Sequence, residues 1–141
     1  MKRGKTIDEI HVGDTAAFSK TITETDVYMY AGITGDFNPA HIDDVYAAGT
    51  FFKKRIAHGM LTAGFISGLL GTRLPGPGTI YIKQDLQFMA PVYFGDTITA
   101  TVTVKAVLTE KNRVIVTTTC TNQDEKVVLD GEAMVMPPKA G

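Results

Sequence analysis

The alternation of apolar and polar positions changes character along the chain. After a turn at Gly13-Asp14, residues 15–23 alternate well enough to predict a strand. Thr23-Glu24-Thr25-Asp26 is helix-start chemistry with capping-box spacing, ahead of a short helix over 27–33. Gly35 suits a left-handed C-cap and ends it. Residues 36–41 hold an Asn-Pro pair and read as a loop, and 43–48 as a helical turn. Residues 58–71, HGMLTAGFISGLLG, carry no charge after His58 and predict a second helix. Being apolar on every face, it is expected to be buried on every face. Gly64 and Gly68 share one of those faces, although each costs about 1 kcal/mol of helix propensity against alanine; close packing against a sheet is the reason expected for them. Beyond this helix the pattern is β: 78–88, a break at Pro91, then 97–108, 113–121 and 126–136, joined by turn residues at 110–112 and 122–124. Three long strands at hairpin spacing predict an antiparallel sheet. One buried helix against a long curved sheet makes the fold class α+β.

The length suits a single domain, 1–141. Fourteen basic residues against fifteen acidic ones give no support for a nucleic-acid or anionic-membrane partner. Residues 1–14 are polar and show no signal-peptide core. The longest apolar stretch, 60–70, falls far short of the roughly 20 residues that span a bilayer. The sole cysteine, Cys120, lies in a strand-like run and reads as a small core residue. A reducing cytoplasm is the expected setting.

Two segments carry chemistry. Asp36 and His41 flank Asn38-Pro39, and a loop pinned by the proline lets both side chains converge on one cavity. A carboxylate and an imidazole at one site hold a water and move its protons. On spacing alone the pair is equally compatible with a surface loop, and Asn38 with bracing the turn. The second segment is His58-Gly59-Met60 at the start of the apolar helix. The first helical N–H groups lack partners and carry partial positive charge, so a carbonyl oxygen against the Gly59 N–H is polarised. The plainer alternative is that Gly59 permits a tight turn into the helix and His58 is a helix-start residue. His11 reads as exposed.

Together, YAGITGDFNPAH (30–41) and RIAHGMLTAGFISGLLG (55–71) resemble the (R)-specific enoyl-CoA hydratases of the MaoC-like type. The resemblance runs on through Gly78-Thr79-Ile80-Tyr81, residues 91–96 and Gly131-Glu132-Ala133, spanning essentially the whole chain; Ala40 departs from it, where a larger aliphatic residue is common. It implies the hot-dog fold, a long central helix wrapped by a curved antiparallel sheet, usually as a homodimer or higher homo-oligomer. It implies catalysis by Asp36 and His41, with the Gly59 N–H on the thioester carbonyl, acting on an acyl-CoA or acyl-carrier-protein thioester. Coenzyme A is then part of the substrate, and neither a metal nor an organic cofactor is expected.

Ser67, Leu70 and Met134 are candidates for the wall of an acyl pocket, where they favour short to medium chains; core packing explains them as well. Arg55, with Lys53 and Lys54, is a candidate for the CoA phosphates or a solvated basic surface. Competing readings are a dehydratase on acyl carrier protein using the same dyad, a hot-dog thioesterase, and a non-catalytic thioester-binding module. The acid-free helix counts against a thioesterase, and the presence of both dyad residues against a dead binding module. A metal site from Asp36, His41 and Asp43 or Asp44 is conceivable on ligand type alone.

Overall fold

The structure, a computed structural model, describes residues 2–141; Met1, the first residue of the expected domain, lies outside them. Among the described residues the chain runs β1 (Thr15–Thr21), α1 (Glu24–Thr34), α2 (Pro39–Ile42), α3 (Asp44–Ala48), α4 (Gly59–Thr72), β2 (Ile80–Phe88), β3 (Thr97–Leu108), β4 (Arg113–Thr121) and β5 (Val127–Met136). The strands form one five-stranded antiparallel sheet in the order β1-β3-β4-β5-β2. The meander β3-β4-β5 is the hairpin series the sequence predicts. The flanking pairs, β1 with β3 and β2 with β5, join segments far apart in the chain.

α4 touches all five strands and packs against one side of the sheet. The period-2 alternation in β3 and β4 sends Ile98, Val102, Val114 and Val116 into the core, where they meet Ile66, Leu69 and Leu70 of α4. Cys120 lies in the same layer, and burial pushes its thiol up to about 12, so it packs as an apolar residue.

α1 begins as the sequence predicts: the Thr23 side chain accepts from the Asp26 N–H, Asp26 accepts from the Thr23 N–H, and Gly35 closes the helix with φ 78°. The 36–41 segment differs from the expected loop. Pro39 occupies the first position of a helical turn, where its missing N–H costs nothing, and Asn38 caps that turn by accepting from the Ala40 N–H at 3.1 Å.

α4 also departs from expectation. It is not buried on every face: Met60 is 55% exposed, and Gly64, Ser67, Gly68 and Gly71 lie on the same open side. No atom outside the local helix lies within 4 Å of where a Cβ on Gly64 or Gly68 would be, so these glycines do not serve close packing against the sheet. Among the described residues no helix is long and apolar enough to cross a membrane.

Candidate active site

Two elements meet at one end of α4. The chain leaving α3 turns back, and the Ile56 N–H donates to the Ala40 carbonyl at 3.2 Å, while the Ala57 N–H donates to Val92 at 2.8 Å. These bonds bring the start of α4 against α2. The cavity between them, about 510 Å³, is lined by Asp36, His41, His58, Gly59 and Thr62 among apolar side chains that include Phe52, Phe88, Val92 and Leu129. Its size and its few polar groups are those of a small-molecule site.

Asp36 and His41 converge here although one precedes α2 and the other lies within it. Their nearest side-chain ligand atoms are within 4.8 Å, a separation that one water can span. His41 is 8% exposed, and its Nδ1 is 2.7 Å from the Ile56 carbonyl oxygen. That oxygen can only accept, so Nδ1 carries the proton and donates it, leaving the Nε2 lone pair for the cavity. The Asp36 carboxylate is exposed and accepts from the Asn38 N–H at 3.3 Å.

Gly59 is the first residue of α4, so its N–H has no intrahelical acceptor. A Cβ there would lie 2.6 Å from two carbons of the Phe88 ring, so a side chain at this position has to displace that ring.

His58 lies deeper than its reading as a helix-start residue implies. It is 2% exposed, and its Nε2 donates to the Asp36 carbonyl at 2.9 Å. Its ring stacks on His41 with centroids 3.8 Å apart and meets Tyr30 at 4.6 Å with the planes tilted by 53°. Burial holds the imidazole below the usual histidine range and nearby His41 adds to this, against the opposing pull of the Asp36 carbonyl bond and carboxylate. Sequence reasoning missed this role because the partners of His58 lie in a different segment of the chain, with no local pattern linking them.

Asp36, His41 and His58 bring their ligand atoms within 4.8 Å of one another. The stacked imidazoles have planes only 30° apart. Each ring spends one nitrogen on a backbone carbonyl and keeps the lone pair of the other. Asp43 and Asp44 are engaged elsewhere: Asp43 caps α3 and Asp44 pairs with Arg55.

Several other expected site residues are placed differently. The Arg55 guanidinium is held by Glu24 at 2.7 Å, Asp44 at 2.5 Å and the Tyr28 hydroxyl at 2.6 Å, with the Phe94 ring over it at 4.7 Å. It ties α1 to α3, its guanidinium already paired with carboxylates of the same chain. Leu70 is 1% exposed in the core and does not line the cavity. Met134 alternates with buried Ala133 and Val135, so it points to the outer face of the sheet, away from α4. Ser67 lines a neighbouring groove of about 640 Å³ between α4 and β2, which shares Met60 and Phe88 with the first cavity.

A model of the MaoC like domain matches residues 10–126. An (R)-specific enoyl-CoA hydratase from Rhodospirillum rubrum is 57% identical over 134 residues, covering 95% of this chain and 92% of its own. A 3-hydroxybutyryl-CoA dehydratase from Methylorubrum extorquens is 50% identical over 132 residues, covering 94% and 83%. The structure of the unliganded R-hydratase PhaJ1 from Pseudomonas aeruginosa superposes with a TM-score of 0.91 at 45% identity, over 97% of this chain and 88% of that one. With the family match covering most of the chain and its relatives aligned nearly end to end, the chain belongs to the MaoC-like family and has the hot-dog fold.

Proposed function

We infer that the protein is an (R)-specific enoyl-CoA hydratase, adding water reversibly to a trans-2-enoyl thioester to give the (R)-3-hydroxyacyl product. One observation carries the reading: the free Nε2 of His41, the Asp36 carboxylate and the unpaired N–H at the start of α4 face a single, largely apolar cavity.

The chemistry follows from that arrangement. The thioester carbonyl withdraws electrons and makes the β-carbon of the enoyl chain electrophilic. A water between Asp36 and His41 donates one O–H to the carboxylate and the other to Nε2, which leaves an oxygen lone pair free for the β-carbon. As the new C–O bond forms, the π electrons move to the thioester oxygen. There the Gly59 N–H and the positive end of α4 stabilise the enolate. The dyad takes the proton lost by the water and returns one to the α-carbon, so atoms and charge balance. The step uses no metal and no organic cofactor beyond the coenzyme A of the substrate.

Reversal is dehydration of the 3-hydroxyacyl thioester on the same residues, in keeping with the name of the Methylorubrum extorquens relative. The cavity's size suits short to medium acyl chains. The same reading makes the protein a cytoplasmic homodimer. β2 is an edge strand, and Met60, Ile82 and Phe88 leave apolar surface exposed beside it.

The test is loss of the conjugated enoyl-thioester absorbance with crotonyl-CoA. Asp36→Asn and His41→Ala, folded by circular dichroism, are expected to lose on the order of 10²–10⁴-fold in turnover. The double variant is expected to be little worse than the poorer single one, because the two groups act on one water. Asp36→Asn hydrating at the wild-type rate overturns the mechanism, and release of free thiol in place of hydration makes the enzyme a thioesterase.

A further inference from the structure

We propose that His58 is a positioning residue for hydration, setting the spacing and orientation of Asp36 and His41 through its Nε2–H bond to the Asp36 carbonyl and its stack on the His41 ring. The proposal rests on the dyad reading and extends it to a residue that does not touch substrate.

His58 occupies the N-cap position of α4 but makes no side-chain cap bond there. A serine, threonine, aspartate or asparagine would satisfy that helix end, so capping does not account for an imidazole at this place. Its side chain instead turns back to the loop that carries Asp36. The cost is visible in the ring: His58 Nδ1 is buried without a partner, one of two such side-chain atoms among the described residues, the other being Thr62 Oγ1 one helical turn on. The missing donor at Nδ1 and the acceptor-only carbonyl at Nε2 agree on the tautomer, with the proton on Nε2.

What the ring holds is what otherwise has least support. The Asp36 side chain is exposed, so it is placed chiefly by its backbone. Besides the His58 bond, that backbone has a 3.2 Å bond from the Asp36 N–H to the Thr34 hydroxyl. His41 is fixed at one end by the Ile56 carbonyl, which leaves the tilt of its plane free. The face of the His58 ring, with its centroid 3.8 Å away and its plane tilted by 30°, restricts that freedom. One side chain thus constrains both groups that must share a water, and displacements near 1 Å at such a site are costly in rate.

The experiment compares His58→Leu, which removes donor and ring, with His58→Gln, whose amide N–H reaches about as far as Nε2. Asp36→Asn is assayed beside them on crotonyl-CoA, and folding is followed by circular dichroism and thermal unfolding. Folded His58→Leu is expected to lose roughly 10–100-fold in kcat with KM changed by less than about threefold, because Gly59 and the cavity still bind the thioester. His58→Gln is expected to recover most of that loss. A purely structural role would move the melting temperature without this split or the rescue. If His58→Leu does not fold, His58→Gln decides: kcat close to wild type supports the proposal. A tenfold or greater loss, on the order of what an unpositioned group costs, overturns it. Folded His58→Leu with wild-type kcat also overturns it. In that case an inactive Asp36→Asn leaves the dyad standing, whereas a fully active Asp36→Asn removes the dyad and the positioning role together.

Discussion

Replacing Gly59 with alanine tests the geometry of the thioester site without deleting a polar group, since alanine keeps the backbone N–H. The added Cβ would lie 2.6 Å from Cδ1 and Cε1 of Phe88, so the ring must retreat by roughly 1 Å to reach ordinary van der Waals separation. Phe88 lines both the dyad cavity and the neighbouring groove, and its retreat changes the wall of the proposed thioester site. A displacement of that size at a reacting centre costs about 10²-fold, equivalent to about 2.7 kcal/mol of barrier. The fold should tolerate the change. Crowding costs about 1–3 kcal/mol, and exchanging glycine for alanine in a helix returns up to about 1 kcal/mol. Crotonyl-CoA hydration and urea unfolding are therefore expected to separate, with kcat/KM down about a hundredfold while the fold stays intact. A Phe88→Ala background removes the obstructing ring, so adding Gly59→Ala there is expected to cost less than about threefold. A single variant with wild-type kcat/KM refutes the steric argument. So does a double variant that falls a hundredfold below Phe88→Ala alone.

Because burial lowers the pKa of His58, the unfolded chain takes up its proton first as the pH falls. Stability is therefore expected to be complete above about 6.5 and to decline below that through the lower folded value, a slope that thermal unfolding of wild type should show and His58→Gln should flatten. Leu70→Ala is expected to cost about 2–5 kcal/mol in urea unfolding, and Met134→Ala under about 1 kcal/mol. Neither should shift the relative rates on longer enoyl chains, because neither lines the dyad cavity. Sedimentation at micromolar concentration is expected to show at least a dimer, and a fully active monomer would remove the proposed β2 interface.

What the sequence made legible was local or periodic. The capping box at Thr23, the left-handed Gly35 and the alternation in β3 and β4 each depend on neighbours a few positions away, and each is present in the structure. Asp36, His41 and Gly59 line one cavity, and they were singled out because residue type, spacing and a family resemblance pointed at the same short segments. The pairing of β2 with β5 carries no such signal, since its register depends on contacts made after the chain has crossed the sheet. His58 was legible as a helix start, but its bond to Asp36 bridges 22 positions. The apolar run of α4 showed that much of the helix would be buried, yet hydrophobicity cannot say which side a lone chain leaves open; Met60, Gly64 and Ser67 lie on that side. Arg55 was read by charge, and charge alone carries no sign of its partners Glu24 and Asp44, which lie in separate segments.

The bonds from Ile56 to Ala40, from His41 to Ile56 and from His58 to Asp36 fasten the two halves of the site to each other at the backbone. Everything between Ile42 and Arg55 is consequently an excursion whose two ends are pinned, and a change in its length adds little closure entropy. Phe51 and Phe52 reach the cavity from that excursion, while Asp36 and His41 do not belong to it. Insertions and replacements there can remodel the acyl-facing wall while the pinned dyad stays in register. In this fold, variation in substrate range has a place to accumulate apart from the reaction itself.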